Sequence, residues 1–473
     1  MRAVMSGSRT HAGLGVVAAV LLAACGPTET AGIEGSGFSS PAAVSGPITG
    51  FGSVFVNGVE YSTAAAQINI DGQPGTEAQL RAGQVVTIEG TVNPDGTTGA
   101  ATTLAFDGDV RGPVTQVDLV GNTFTVLDQT VKVTSSTVFD DAIASGDITG
   151  LSGGVSVEVS GIVDPAGEIV ASRVDLVAAP TSLQIKGVVQ GLDSTTRTFD
   201  INGLEIDYSA ATPSSTLANG NSVVVQGSQP SSSGPLLAAH VEVLQGIGAK
   251  ANEFADLDGI ITTLASSSDF VLLGQHVATN SSTVFVLHGS TLAAGVEVDV
   301  QGRFDTSGVL QAQKVQVKPF SASVVAGLVD SVNASSNTLS VMGVTITTSA
   351  ATTVEDRSSQ HVRTFRLADL HTGDYVLVSG TETASGTLDA AGLERDNAKT
   401  RSYLQGTARN VAQPNFTVLG VTVSTTGQTR YAGPGGAASG ATTFFTQAPD
   451  HIVRSVGSYS GGVLTATEVQ IAQ

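Results

Sequence analysis

Gly154-Val155-Ser156-Val157-Glu158-Val159-Ser160-Gly161 is the stretch that decides the fold of this chain. Between its two glycines, aliphatic side chains alternate with polar ones. A period of two places the aliphatic side chains on one face of a β-strand and the polar side chains on the other. The block occurs six times, at residues 83–90, 154–161, 220–227, 295–302, 373–380 and, with Asp450 in place of the first glycine, 450–457. The chain is therefore predicted to consist of tandem repeats of half-buried strands.

Two further blocks accompany this one in a constant order. Ahead of it, a glycine begins a run of β-forming residues and two short strands follow; these glycines are Gly46, Gly112, Gly187, Gly259, Gly327 and Gly406. Behind it, a turn glycine leads through an aliphatic pair and an alanine into a closing strand, as in Gly308-Val309-Leu310-Gln311-Ala312. Each unit thus has five predicted strands, with the longest irregular stretch between the third and the fourth.

Five strands with a long third connection are typical of the partly open Greek-key barrel of the OB type. We therefore predict an all-β chain of six tandem small five-stranded OB-like β-barrels, with a flattened sandwich as the alternative. Repeats 1 to 6 are expected at residues 46–108, 109–180, 181–250, 251–320, 321–400 and 401–473. Because the predicted linkers are short, we expect a curved, elongated string of barrels without a shared core.

The N-terminus has the pattern of a secretory leader. Arg2 and Arg9 precede an uncharged apolar run that is too short to span a bilayer stably. The run ends in Leu22-Ala23-Ala24-Cys25, which resembles the lipobox of bacterial lipoproteins, and Cys25 is the only cysteine of the chain. The resemblance implies a signal peptide at 1–24 and acylation of Cys25, and the residue after the cysteine, Gly26, implies the outer membrane. The alternative is an ordinary secretory signal with an incidental cysteine.

Residues 25–45 are predicted to be a flexible tether, because glycine, proline, serine, threonine and alanine dominate them. The repeat behind this tether resembles the bacterial envelope domain known as domain of unknown function 5666, which often occurs in tandem behind a lipoprotein signal. The resemblance extends over residues 46–471. It implies a location in the cell envelope, on the periplasmic or the surface face of the outer membrane, and implies no activity.

Composition excludes several classes of function. The chain has 41 acidic and 21 basic residues and a net charge of −20, so it repels phosphate backbones and no nucleic-acid partner is expected. One cysteine builds neither a disulfide framework nor a cysteine-based zinc site. The histidines lack zinc-site spacing, and the acidic pairs Asp107/Asp109, Asp140/Asp141 and Asp256/Asp258 are too sparse for a calcium loop. We expect no metal and no cofactor, with weak divalent-cation binding as the alternative.

Three glycine-rich motifs have the spacing of catalytic or nucleotide-binding motifs. Gly150-Leu151-Ser152-Gly153-Gly154 has the spacing of a nucleophile elbow, but a predicted strand follows it where the elbow requires a helix. Residues 246–251 and 433–438 match a dinucleotide fingerprint without the strand–helix–strand unit around it. We interpret all three as turns or loops and predict no catalytic residue and no enzyme.

One connection departs from the composition of the rest. Between the third and fourth strands of repeat 5, cationic groups gather at Arg357, His361, Arg363, Arg366 and His371. They form a candidate ligand or partner patch, and the alternative is a solvated loop with internal ion pairs. A second long insertion, at residues 431–447, carries Phe444 and Phe445, which either pack on the rim of the barrel or present a contact surface.

These features predict a lipid-anchored protein of the cell envelope that serves as a non-enzymatic binding or scaffold array. A surface adhesin is the first alternative, and an envelope hydrolase or carbohydrate-active enzyme is the second. The expected partners are the membrane, through the acyl anchor, and an envelope protein or glycan.

Overall fold

The computed structural model describes residues 40–471, except for 95, 120, 141, 144–146, 152–153, 179–181, 230–233, 245–246, 248–249, 288–289, 319–322, 357, 361, 363 and 434–437. The predicted signal peptide, Cys25 and residues 26–39 of the predicted tether lie outside this part of the chain. The tether prediction is wrong for its last six residues, because the first strand, β1, begins at Ser40. Ala42, Ala43 and Val44 are buried in that strand, so their apolar side chains join a core.

The described residues of repeats 1 to 3 form eighteen strands. Their bounds are β1 (Ser40–Gly50), β2 (Val54–Val56), β3 (Val59–Ser62), β4 (Gln67–Ile70), β5 (Gln73–Pro74), β6 (Val85–Val92), β7 (Thr98–Phe106), β8 (Val110–Asp118), β9 (Thr123–Val126), β10 (Gln129–Phe139), β11 (Ser156–Val163), β12 (Ile169–Leu176), β13 (Leu183–Val188), β14 (Gln190–Asp193), β15 (Thr198–Ile201), β16 (Leu204–Asp207), β17 (Ser222–Ser228) and β18 (Leu236–Val243).

In repeats 4 to 6, the part of the chain that the structure describes forms nineteen strands and one α-helix. Their bounds are β19 (Phe254–Ser266), β20 (Asp269–Leu272), β21 (Gln275–Ala278), β22 (Val284–Val286), β23 (Glu297–Phe304), β24 (Leu310–Val317), β25 (Ser323–Asn333), β26 (Thr338–Val341), β27 (Val344–Thr347), β28 (Thr353–Asp356), β29 (Tyr375–Ala384), β30 (Thr387–Asp396), β31 (Ser402–Thr407), β32 (Arg409–Ala412), β33 (Asn415–Val418), β34 (Val421–Ala432), β35 (Ala438–Ser439), α1 (Ala441–Gln447), β36 (Ile452–Ser460) and β37 (Val463–Ile471). Short 3-10 helices lie at Glu77–Gln79, Ile148–Gly150, Ala334–Ser336 and Leu367–Asp369.

The strands of one repeat pair in a fixed cycle. In repeat 2, β8 pairs with β9, β9 with β10, β10 in parallel with β12, β12 with β11, and β11 again with β8. Repeats 1, 4 and 5 follow the same order, and in repeats 3 and 6 the first strand is divided in two by a single residue. The one helix of the described residues, α1, lies in the connection between the third and fourth main strands of repeat 6.

The sheets do not end at the boundaries of the repeats. One sheet runs through repeats 1 and 4, a second through repeats 2 and 3, and a third through repeats 5 and 6. The prediction of an all-β chain is confirmed, whereas the prediction of six separate barrels is wrong, because neighbouring first strands hydrogen-bond into shared sheets, as in a β-solenoid. Repeats 1 and 4 pair although they are distant in sequence, so the repeats do not follow one another in the predicted elongated string.

The glycines of the repeated block have two structural causes. The first glycine lies in the left-handed region, at a φ of 93° for Gly154, and Asp450 takes its place in repeat 6 at a φ of 61°. Aspartate is one of the few other residues that tolerate this region. The second glycine lies at a β-bulge: a Cβ on Gly161 would be 2.3 Å from the carbonyl oxygen of Val170. The sequence pattern is thus explained by backbone geometry.

Apolar cores fill the repeats. Repeats 2 and 3 share one continuous cluster of buried side chains, and repeats 5 and 6 share another, whereas repeats 1 and 4 have separate clusters. Phe444 of α1 is fully buried, 5.7 Å from the ring of Phe416 and 5.5 Å from that of Tyr431. Phe444 and the half-buried Phe445 therefore pack on the core of repeat 6.

Candidate functional site

Polar side chains join repeats 1, 2 and 3 around Asp71, in the turn between β4 and β5. Its carboxylate accepts hydrogen bonds from Arg111 of repeat 2 at 2.6 Å and from Gln184 of repeat 3 at 2.8 Å. Arg111 also pairs with Glu158 at 3.0 Å. Burial, followed by the charge of Asp71, raises the pKa of Glu158 to about 8. A single guanidinium thus lies between two carboxyls at the meeting point of three repeats.

A second polar junction joins repeats 1, 2 and 5 at Arg173 of β12. Its guanidinium binds Asp175 at 2.7 Å, donates to the carbonyl oxygen of Ala82 in repeat 1 at 3.0 Å and lies 3.3 Å from Glu355 in repeat 5. Only 5% of the Arg173 side chain is exposed. Because a buried guanidinium is costly to leave unpaired, this residue fixes the position of three repeats relative to one another.

The most enclosed ion pair of the described residues lies in repeat 5, between Asp356 at the end of β28 and Arg395 of β30. Two parallel hydrogen bonds join them, at 2.9 Å from Nε and 2.6 Å from Nη2. The Asp356 side chain is 0% exposed and that of Arg395 is 9% exposed. Burial opposes ionisation of Asp356, but the hydrogen bonds from Arg395 and from the Ser358 and Val362 amides hold its pKa far below the usual range.

A small polar cavity of about 180 Å³ opens beside this pair. Ser358, Ser359, Gln360, Gly373, Asp374, Tyr375, Arg395, Asp396, Asn397 and Ala398 line it. Most of its polar groups already have partners in the protein: Asn397 accepts from the Ser359 amide at 3.0 Å, and Gln360 accepts from Arg395 at 3.3 Å. The cavity is smaller than the ~300–1,000 Å³ of ordinary ligand pockets.

The predicted patch of repeat 5 is only partly within the described residues. Arg357, His361 and Arg363 lie outside them, so their part of the prediction stays untested. Arg366 extends towards repeat 1, where its guanidinium lies 5.5 Å from the centre of the Phe55 ring. The exposed His371 donates its backbone N–H to Asp374 at 2.9 Å. No contact between Arg366 and His371 occurs in the described part of the chain, so the structure does not bring these two together.

The other motifs can be located in part. Ser152 and Gly153 of the elbow-like motif, half of the run at 246–251, most of the run at 433–438, Asp141 and His288 lie outside the described residues. His276 lies 3.9 Å from Asp269, and both side chains are more than half exposed. Within the residues that the structure describes, no group of three or more histidine, cysteine, aspartate or glutamate side chains could hold a metal ion. No helix of that part of the chain is long and apolar enough to cross a membrane.

The repeated strand cycle corresponds to a known sequence family. The family model described as "Domain of unknown function (DUF5666)" matches the chain six times in tandem, at residues 43–102, 111–175, 186–242, 258–316, 326–394 and 405–470. The chain belongs to the DUF5666 family. The predicted resemblance is thereby confirmed. A search of the curated proteins found no match to this sequence.

The polar residues that join the DUF5666 repeats were not predicted from the sequence. Arg173 lies in β12, where alternation indicates only that its side chain is on the polar face, and Arg395 of β30 has its partner, Asp356, within repeat 5. The sequence signal that could have identified these arginines is the scarcity of basic residues, of which the whole chain has 21. An arginine in the middle of a strand of such a chain indicates a buried carboxylate partner on a neighbouring DUF5666 repeat or loop.

Proposed function

We propose that this chain is a lipid-anchored scaffold protein of the cell envelope without enzymatic activity. The observation that carries the proposal is the joining of the DUF5666 repeats into one body. Shared sheets join repeats 1 with 4, 2 with 3 and 5 with 6, and the polar junctions at Asp71 and Arg173 join these pairs to each other. Such a body holds its outer surfaces at fixed positions, as a scaffold requires.

The strand cycle supports the finer proposal that each repeat is a small barrel of the OB type. Five main strands close on themselves, and α1 and the 3-10 helices of repeats 1, 2 and 5 lie between the third and fourth main strands. The size of the cavity in repeat 5 favours a scaffold over a receptor for a small molecule, because about 180 Å³ is below the ~300–1,000 Å³ of ordinary ligand pockets. An envelope protein or a glycan is the proposed partner of the outer surface.

Anchorage is proposed to depend on Cys25. Changing Cys25→Ser is expected to abolish incorporation of radiolabelled fatty acid and to release the protein from the membrane fraction, because the serine hydroxyl does not replace the thiol as acyl acceptor. Several acyl chains give lasting anchorage, so the wild-type protein is expected to resist extraction by high salt. The matched control is Ser39→Ala in the same N-terminal segment, which leaves labelling unchanged. Membrane association of the Cys25→Ser variant in high salt would contradict an acyl anchor.

Scaffolding predicts that partner capture depends on the whole body. Chemical crosslinking in intact envelopes, followed by purification of the full chain, is expected to recover the same partner from wild type and from Ser359→Trp, which fills the repeat 5 cavity. The variant Ser267→Trp, on an exposed loop of repeat 4, controls for the added indole. Loss of the partner from Ser359→Trp alone would instead assign binding to the cavity.

A further inference from the structure

The seam between repeats 1 and 4 differs from the other two sheet junctions. It consists of a parallel pairing of residues 42–45 of β1 with residues 254–257 of β19. The 2–3 and 5–6 junctions are antiparallel, and each is supported by an apolar core that both repeats share. Repeats 1 and 4 have separate apolar clusters, joined mainly by Phe254. Polar groups therefore decide much of the stability of this seam.

The polar face of β19 carries two buried carboxyls, Asp256 at 1% and Asp258 at 0% exposure. Asp256 crosses the seam: it accepts from Asn57 of repeat 1 at 3.0 Å and from Gln301 of its own repeat at 3.1 Å. Asp258 binds Lys318 and lies directly opposite Asp299 of β23 in the register of the sheet. Glu297 follows on the same face of β23.

Acidic groups outnumber basic ones on the repeat 4 side of this seam. Four carboxyls, those of Asp256, Asp258, Glu297 and Asp299, face Lys318, and Lys314 acts on Asp299 from β24. On the side of repeat 1, the paired residues of β1 carry no charge and Asn57 is neutral. The Tyr61 phenol is buried close enough to Asp256 for the charge of that carboxylate to act on it. Strand β11, which packs nearby, contributes Glu158, and that carboxyl is paired with Arg111.

The unbalanced charge has a direct physical consequence. One carboxylate oxygen of Asp258 and one of Asp299 are buried without a hydrogen-bond partner among the described residues. Burial and the neighbouring acids raise the pKa of Asp256 well above its usual value and that of Glu297 to about 7. Burial raises the pKa of Asp299 to about 6, although the charge of Lys318 opposes this rise and outweighs the contribution of Asp258.

We propose that the 1–4 seam is a proton-operated joint, which closes when Asp256 and the neighbouring acids Asp299 and Glu297 bind protons and opens when they ionise. The folded seam holds protons more tightly than the open one, because opening removes Asn57 and the cover of repeat 1 from Asp256, whose pKa then returns towards about 4. Between pH 4 and pH 7 the closed state therefore binds more protons, so its stability is greatest at the acidic end and falls as pH rises through 6 and 7. Opening exposes the strand edges at residues 42–45 and 254–257, which other chains can pair with.

Hydrogen exchange of the full mature chain tests this proposal. Protection factors, corrected for the intrinsic pH dependence of exchange, are compared at pH 5.5 and pH 8.0. We expect those of the amides at residues 42–45 and 254–257 to fall by at least about tenfold, the effect of one pKa unit. The 5–6 junction, at residues 324–326 and 403–405, is the internal control, and its protection is expected to change less than about twofold, because none of its paired residues is acidic.

Neutral variants complete the test. Asp299→Asn removes a carboxylate that has an unpartnered oxygen, and it is expected to retain high seam protection at pH 8.0. Asp256→Asn is expected to do the same, since Gln301 can rotate its amide to accept from the new NH2. Asp389→Asn, at an exposed acid of repeat 5, is the matched control and leaves the wild-type pH dependence unchanged. Equal seam protection at both pH values, an equal fall at the 5–6 junction, or an unaltered pH response of Asp299→Asn would each overturn the proposal.

Discussion

Replacing Arg395 with methionine is expected to lower the free energy of unfolding by about 3–5 kcal/mol. The change leaves the Asp356 carboxylate fully buried without the guanidinium that gives it two hydrogen bonds. It also removes the cation that lies 4.5 Å from the centre of the Phe365 ring. Denaturant unfolding followed by circular dichroism measures the loss, and hydrogen exchange locates it in repeat 5.

The pH dependence of this loss has a definite sign. In the wild type, the lowered pKa of Asp356 contributes stability that is present above the unfolded value of about 4 and is lost as pH falls. The difference between Arg395→Met and wild type is therefore expected to be largest near pH 7 and to shrink towards pH 4. Changing Asp356→Leu together with Arg395→Met should recover part of the loss, although the Ser358 and Val362 amides then lose their acceptor.

An exposed ion pair provides the control for this experiment. Arg430 lies 3.5 Å from Glu468, and their side chains are 80% and 40% exposed. Arg430→Met is expected to change the free energy of unfolding by less than about 1 kcal/mol, because solvent screens such pairs. Equal losses for Arg395→Met and Arg430→Met would contradict the role given to the buried pair.

Changing Gly457→Ala is expected to destabilise repeat 6 by about 1–3 kcal/mol, or more if the bulge cannot relax. A Cβ on Gly457 would lie 2.0 Å from the carbonyl oxygen of Thr465 and 2.8 Å from the backbone of Ala466. Both contacts are with backbone atoms of β37, so no side-chain rotation relieves them. The bulge would have to open and lose hydrogen bonds between β36 and β37.

Gly427 is the matched control in the same repeat. A Cβ there would have no heavy atom within 4 Å, and its φ does not lie in the left-handed region. Gly427→Ala is therefore expected to be neutral or to stabilise by up to about 1 kcal/mol, because alanine restricts the unfolded chain. Thermal unfolding of the two variants side by side distinguishes the steric account from a general effect of losing a glycine. A Gly457→Ala variant as stable as the wild type would contradict the steric explanation.

The strand content of this chain could be predicted because it depends on local patterns. The alternation at residues 154–161 became β11, and the positive φ of Gly154 and the bulge at Gly161 explain the glycines that frame it. These features require only neighbouring residues and the adjacent strand of one repeat. Because they recur in a constant order, the six copies are recognisable from the amino-acid sequence alone.

The association of the repeats could not be predicted from the same patterns. Alternation indicates that Asp256 and Asp258 are on the polar face of a strand, but a polar face can be wet or covered by another repeat. In the structure it is covered, and these carboxyls are among the most buried polar side chains. The candidate site shows the same limit: the cationic connection of repeat 5 stood out by composition, while Arg395, the partner of Asp356, lies on a different strand.

Six DUF5666 repeats form one body, which is held by shared sheets and buried polar junctions. Small-angle X-ray scattering of the mature chain in solution at pH 5.5 tests it most directly. A compact body of this length has a radius of gyration of about 22 Å, whereas six repeats of roughly 28 Å diameter in a string would reach on the order of 170 Å and give a value near 50 Å. We expect the smaller radius, with a modest increase from the N-terminal segment. A radius near 50 Å would contradict it.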